Sequence, residues 1–237
     1  MAYLTWISDQ DLQTSVQQLL TVAQITQDKA RTSFNKNVID PFSAIFQIAG
    51  FNTDYDKWVL GEYARQSQKT LQNHIGEFHQ TILGYVVGWE NLKTGNVMDL
   101  LSDDRKILAE IKNKHNTVKG SNLSDLYKSM ESQVMPKASR YRDYTAYYVT
   151  IIPKKPERFN KPFTPSDGKT GAKLPENEKI RIIDGASFYS MVTGENNALE
   201  QLFNVLPDVI RVCSGLELSG RDIYKLKVFF SSAYGAS

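Results

Sequence analysis

The feature that most restricts the fold lies between Asn96 and Asn113. Two short runs rich in Ile, Leu and Val, Asn96–Leu101 and Lys106–Asn113, are separated by the polar turn SDDR. That pattern predicts two paired strands. Side chains alternate across a strand, so Leu108, Glu110 and Lys112 share one face of the second run, while Ile107, Ala109 and Ile111 share the other. In the first run Val97, Asp99 and Leu101 share a face. Pairing through the turn brings Asp99 near Glu110. Charges inside otherwise apolar strands are costly unless they are used or partnered, so this segment is the first place to look for chemistry.

Around it the chain alternates helical and strand signals. Leu12, Val16, Leu19 and Ala23 recur at helical spacing after the start signal Ser8-x-x-Asp11, which predicts a helix from Ser8 to about Gln27. Asp40 followed by Pro41, with Gly50 as the stop, predicts a short apolar helix over Phe42–Ala49. Asp54 to about Leu83 is helical again, with Leu71, Ile75, Phe78 and Ile82 on one face. Further helices are expected over Leu123–Ala138, Phe188–Thr193 and Asn197–Leu206, with Gly194 between the last two and Pro207 after them. Strands are expected at Tyr144–Ile152, Ile180–Asp184 and Tyr224–Phe230. Pro153–Pro175 holds five of the eight prolines and six Lys or Arg against two acidic residues. It reads as a long basic loop. The expectation is one α/β domain over residues 1–237, mainly helical to residue 83, with a mixed-sheet core over 84–237.

Composition sets limits on function. With 41% hydrophobic and 23% charged residues the chain is an ordinary globular protein. A net charge of +2 is too mild to indicate nucleic acid by itself, so any basic footprint must be local. The lone Cys213 excludes an intramolecular disulfide and is expected to be a small buried residue. The opening MAYLTWISDQDL lacks the pattern of a secretory signal, and the most apolar window, Ile82–Trp89, is far shorter than a membrane span. These features predict a cytoplasmic protein with no membrane partner. The sequence has no GxxxxGK[ST], GxGxxG, CxxC or HExxH motif, so it lacks a P-loop, a dinucleotide fingerprint and a zinc pattern. His74 and His79 are five apart, which does not suit a helical metal pair.

Two carboxylates in a cleft suit a hard divalent cation, most naturally Mg²⁺, which takes oxygen ligands. Asp99 and Glu110 supply them, the carbonyl of Ile111 can add another, and Lys112 can orient water or offset negative charge on a phosphate. The same Glu110–Lys112 spacing also fits a plain ion pair on a solvated sheet. Lys114, His115, Asn116 and Lys119, directly after the strand, are candidate DNA contacts, as are Lys154, Lys155, Arg158 and Lys161 of the basic loop. The four tyrosines between Tyr141 and Tyr148 fit either a stacking platform or strand core.

The acid, acid–x–lysine pattern of Asp99, Glu110 and Lys112 resembles the PD-(D/E)XK nuclease superfamily, although Met98 stands where that motif has its proline. YLTWISDQDL (3–12), the catalytic segment and RIIDGASFYSMVTGENNALEQLFNVLPDVI (181–210) resemble type II restriction endonucleases that cut interrupted GC-rich sites of the GGNCC type. The resemblance implies a mixed sheet flanked by helices, Mg²⁺-dependent cleavage of double-stranded DNA, a homodimer, and a cognate DNA methyltransferase as genetic partner. It also implies that an acid on the preceding helix can join the metal. Glu77 is the best placed, ahead of Glu62 and Glu90, with a solvated helix carboxylate as the alternative. A repair or recombination nuclease of the same fold, and a non-catalytic DNA- or protein-binding module, are the competing readings.

Overall fold

In the computed structural model, which describes residues 2–32, 34, 38–93 and 97–235, the SDDR turn closes a strand pair. Lys106 takes a left-handed φ of 52° and its N–H bonds the Asp103 carbonyl, completing the turn. On either side β2 (Leu100–Ser102) and β3 (Ile107–Lys114) run antiparallel, with Leu100 opposite Ala109 and Leu101 opposite Leu108. The first strand is shorter than expected. Val97 to Asp99 form a bend ahead of it, and Asn96 lies outside the described residues.

Beyond this pair, β4 (Thr145–Ile152) lies parallel to β3, and β6 (Ile180–Asp184) lies parallel to β4. A two-residue β1 (Glu90–Asn91) flanks β2, and β5 (Asn160–Pro162) closes the other edge against β6, giving the order β1-β2-β3-β4-β6-β5. The proline-rich segment is therefore not wholly loop. It donates an edge strand, the one place in a sheet where Pro162 costs no ladder bond.

Helices cover both faces. They are α1 (Asp9–Thr32), α2 (Pro41–Gly50), α3 (Tyr55–Gly84), α4 (Leu123–Val134), α5 (Gly185–Thr193), α6 (Ala198–Ser214) and α7 (Gly220–Tyr234). The starts follow the expected caps. The Asp40 carboxylate accepts from Phe42 and Ser43 N–H at 3.0 and 3.2 Å, and Asp54 accepts from Lys57 N–H at 2.8 Å. One sheet face, with Leu100, Ile107, Ala109, Ile111, Val149, Ile151 and Ile183, packs into a core with Leu12, Phe78, Ile82, Phe188 and Leu202. The other, with Leu101, Leu108, Ala146, Tyr148 and Ile180, packs against Tyr127, Met130 and Val134 of α4 and against Phe163. Gly185 begins α5 against β4, so close that a Cβ there would lie 2.6 Å from the Ile151 Cα and nearer still to its carbonyl oxygen.

Four helical boundaries differ from expectation by three residues or more, the start of α5 at Gly185 rather than Phe188 among them, and one element changes type. Helix α4 stops at Val134, two residues before Pro136. Helix α6 continues through Pro207 to Ser214. Pro207 offers no N–H to Phe203 O, but Leu199, Leu202 and Val209 are buried on one side, and that burial outweighs one missing bond. Helix α1 extends five residues past Gln27. The segment Tyr224–Phe230 is not a strand but part of α7. Its alternation of Tyr, Lys, Leu, Lys and Val mimics a strand, yet Ser219 Oγ caps the Asp222 N–H at 3.1 Å, and Phe230 stacks on Phe203 with ring centres 4.7 Å apart. The start signal Ser219-x-x-Asp222 is the cue that outweighs the alternation. Among the described residues no helix is long and apolar enough to cross a membrane.

Candidate active site

Glu110 and Lys112 continue the β3 row that Leu108 begins on the α4 side of the sheet. Asp99 precedes β2 by one residue, which by the register places it opposite Glu110. Two bonds hold it there. Its N–H donates to the Ala109 carbonyl at 2.9 Å, and its Oδ2 accepts from the Ile111 N–H at 2.7 Å. Lys112 Nζ sits 2.5 Å from Glu110 Oε1. Asp99, Glu110 and Lys112 thus converge, as the alternation of the two strands required. Their side chains are mostly withdrawn from water, with Glu110 14% and Lys112 28% exposed.

Burial sets the electrostatics. It lifts the Asp99 carboxyl above the usual carboxylate range, against the opposing pull of the Ile111 N–H and the Lys112 charge. Burial also lifts Glu110, the neighbouring Asp99 adds to the rise, and Lys112 works against it. Two acids side by side in a half-dry site repel, and one lysine compensates only in part. An additional positive charge would hold both in the ionised form.

The parallel register adds Thr150, which sequence reasoning did not single out, and Tyr148, which it named only among four tyrosines fitting a platform or strand core. Tyr148 pairs with Glu110 and Thr150 with Lys112, so both share their face. The hydroxyls of Tyr148 and Thr150 are buried without a hydrogen-bond partner. Burial, and then the charge of Glu110, push the Tyr148 hydroxyl up to about 12, so it stays a neutral donor. The signal for them was the period of two along Tyr144–Ile152, but only the register of the parallel pair says which residue meets Glu110.

The remaining candidates divide. Lys114 ends β3, and His115, Asn116 and Lys119 follow on the surface, with His115 N–H bonded to Ile152 O at 3.0 Å. Because Ile152 also ends β4, exposed Lys154 and Lys155 emerge at the same end of the two central strands. The fold brings these two basic groups together at the carboxyl ends of neighbouring strands. Arg158 is turned away, its guanidinium bonding the Asn196 carbonyl, and Lys161 lies over the Phe159 ring at 5.5 Å. Glu77 stands on α3 one residue after Gly76, which passes Asn113 of β3. Its carboxylate bonds His74 Nδ1 at 2.7 Å and borders a groove shared with Ser15, Gln18 and Leu19 of α1. Glu62 is engaged by Arg65, and Glu90 is exposed at the start of β1. Among the described residues no three His, Cys, Asp or Glu side chains cluster as a ready metal cage. His79 bonds Tyr189 inside the protein, and Cys213 is half-buried with Sγ 3.5 Å from Gln13 O.

Comparison with known proteins places this chain in a family. The model of the Eco47II restriction endonuclease family matches residues 4–213, which include Asp99, Glu110 and Lys112. The type II restriction enzyme Eco47II of Escherichia coli is 48% identical over 242 residues, spanning 99% of this chain and all of that protein. The type II restriction enzyme Sau96I of Staphylococcus aureus is 35% identical over 213 residues, spanning 86% of this chain and 78% of that one. The chain belongs to the Eco47II family of type II restriction endonucleases.

Proposed function

We propose that this enzyme hydrolyses both strands of DNA with Mg²⁺, as a homodimer in the cytoplasm, at a GC-rich interrupted palindrome such as GGNCC. The observation that carries the reading is the convergence of Asp99, Glu110 and Lys112 in one half-buried site. A purely structural Glu110–Lys112 pair would gain nothing from a second, repelling carboxylate beside it.

The donor set fits a hard cation. Asp99 and Glu110 offer carboxylate oxygens whose mutual repulsion a divalent charge relieves, and the Ile111 carbonyl is the third oxygen at hand. Glu77, on α3 against the other face of the sheet and bonded to His74, lies outside this donor set. When bound, Mg²⁺ polarises the scissile phosphate, lowers the pKa of a water ligand and offsets transition-state charge.

The chain's own residues do the rest. Lys112, held by Glu110, presents its ammonium to the reacting phosphate and stabilises the negative charge that grows there. The Ile111 N–H and Ala109 carbonyl fix Asp99 opposite Glu110. Lys114, His115, Asn116, Lys119, Lys154 and Lys155 supply contacts at the carboxyl ends of β3 and β4, where phosphates give position and base edges give the sequence. Two copies are needed because each chain carries one such site and a two-fold sequence has two strands to cut. A methyltransferase protecting the same site in the host completes the system.

The test is plasmid DNA incubated with the protein and Mg²⁺. Discrete fragments are expected, with none in EDTA, and Lys112→Ala or Asp99→Ala should slow cleavage by at least about 100-fold. Full activity in either variant refutes the assignment, and nicking without a fixed fragment ladder would favour a structure-specific nuclease.

A further inference from the structure

We propose that Thr150 is a positioning residue for DNA cleavage: its hydroxyl is the acceptor that holds the Lys112 ammonium at the reacting phosphate once that ammonium leaves Glu110. The inference rests on the reading of Asp99, Glu110 and Lys112 above and adds a fourth side chain to it.

The parallel register sets Lys112 of β3 beside Thr150 of β4, and Thr150 beside Asp184 of β6. Paired residues on neighbouring strands point to the same side of a sheet, with backbones about 5 Å apart. Thr150 is 2% exposed, and its Oγ1 is buried without a hydrogen-bond partner. A desolvated, unbonded hydroxyl is unfavourable, and native proteins hold very few, so each calls for a reason. Valine would fill the same space without that cost and suits a strand equally well. The neighbours do not supply the reason. Asp184 accepts from the Ser187 N–H at 2.9 Å with one oxygen and from the Phe159 N–H at 2.6 Å with the other. The Tyr148 hydroxyl is also unpartnered, but it stands at the far end of a ring that packs on Phe163, with centres 5.1 Å apart. The Thr150 hydroxyl is one bond from Cβ and cannot leave the row in which Lys112 stands.

Lys112 is the group in that row with a bond to exchange. Its ammonium carries three donors, and Glu110 Oε1 lies 2.5 Å from it. Cleavage needs the two apart, the carboxylate for the cation and the ammonium for the phosphate. A lysine stem released from its carboxylate gains rotamer freedom, which must be lost again for the ammonium to act at one place. A hydroxyl beside the stem restricts it by taking one N–H and leaves two for the phosphate. Being neutral, that hydroxyl fixes the ammonium without cancelling its charge, which a second carboxylate would do. The side chains of Lys112 and Glu110 are only 28% and 14% exposed, so water competes weakly for such a bond.

The experiment is single-turnover cleavage of plasmid DNA with Mg²⁺ by the full chain, as wild type, Thr150→Val, Thr150→Ser, Lys112→Ala and the Thr150→Val/Lys112→Ala double variant, with thermal melts in EDTA. Thr150→Val should cut at least about 10-fold more slowly, the worth of one hydrogen bond to a charged group, with the half-saturating protein concentration unchanged. Thr150→Ser keeps the hydroxyl and should recover most of that loss. In the Lys112→Ala background the valine should slow cleavage no further, because a hydroxyl that acts through Lys112 has nothing left to hold. In EDTA, Thr150→Val should melt no lower than wild type, since it removes an unbonded buried hydroxyl. Full-rate cleavage by Thr150→Val, a serine variant as slow as the valine one, a further loss in the Lys112→Ala background, or a lower melting temperature overturns the role of Thr150 and leaves the reading of Asp99, Glu110 and Lys112 intact. Full activity in Lys112→Ala overturns both.

Discussion

Lowering the pH should destabilise this protein through His79 in a window that its surroundings define. His79 Nδ1 lies 2.8 Å from the Tyr189 hydroxyl, and the ring packs edge-on to Tyr189 and Phe78. Burial, with no acidic partner, pushes His79 down to about 4. The buried Tyr189 hydroxyl is held well above its usual value, so both groups are neutral at pH 7. Above about pH 6.5, the reference value for histidine, the ring is uncharged in both the folded and the unfolded chain and its titration adds nothing. As pH falls from about 6.5 the unfolded chain takes up a proton that the folded one excludes, and stability is lost until the folded ring also titrates near pH 4. The 2.5-unit gap between 6.5 and about 4 caps the loss at about 3.4 kcal/mol, with about 2 kcal/mol of it gone by pH 5. The ring borders the apolar groove between α3 and α7 and is not sealed from water, which trims the loss at pH 5 to about 1–2 kcal/mol. Urea denaturation of wild type and His79→Gln at pH 8 and pH 5 isolates this term, because the buried carboxylates Asp99 and Glu110 are common to both. Wild type should lose about 1–2 kcal/mol more than the variant, about 0.5–1 M in the urea midpoint with an unchanged slope. Equal losses in the two proteins would refute the reasoning.

Two more outcomes follow from the packing and charge of the fold. Gly185→Ala places a Cβ into the Ile151 backbone, which no side-chain rotation can relieve, so it should destabilise by more than about 3 kcal/mol in a thermal melt, whereas Gly120→Ala, with open space around it, should not. Glu110→Gln removes a buried carboxylate that repels Asp99. A carboxyl raised in the fold is a cost above its unfolded pKa, so at pH 7.5 the variant should melt higher, by about 0.5–2 kcal/mol, while cleavage is lost, and a lower melting temperature would show that the Lys112 pair outweighs the repulsion.

The convergence of the candidate site residues was legible because its information is local. Strand alternation and a four-residue turn suffice to bring Asp99, Glu110 and Lys112 together, and neither depends on the rest of the fold. Asp40, Pro41, Asp54 and Gly194 likewise announced helix ends, since caps satisfy backbone groups within a few residues. Where local signals competed, local reading failed. Tyr224–Phe230 alternates like a strand and starts like a helix, and Pro207 is a breaker inside a segment with a strong apolar stripe.

By itself, then, the order of residues determined an α/β chain, a paired acid site with its lysine, and membership of a nuclease family. The tertiary structure alone decided the parallel pairing that sets Tyr148 and Thr150 beside Glu110 and Lys112. It also turned Arg158 and Glu77 towards other partners. Each of those outcomes depends on which distant segments pack together, and packing free energy is shared among residues that are not neighbours in the chain.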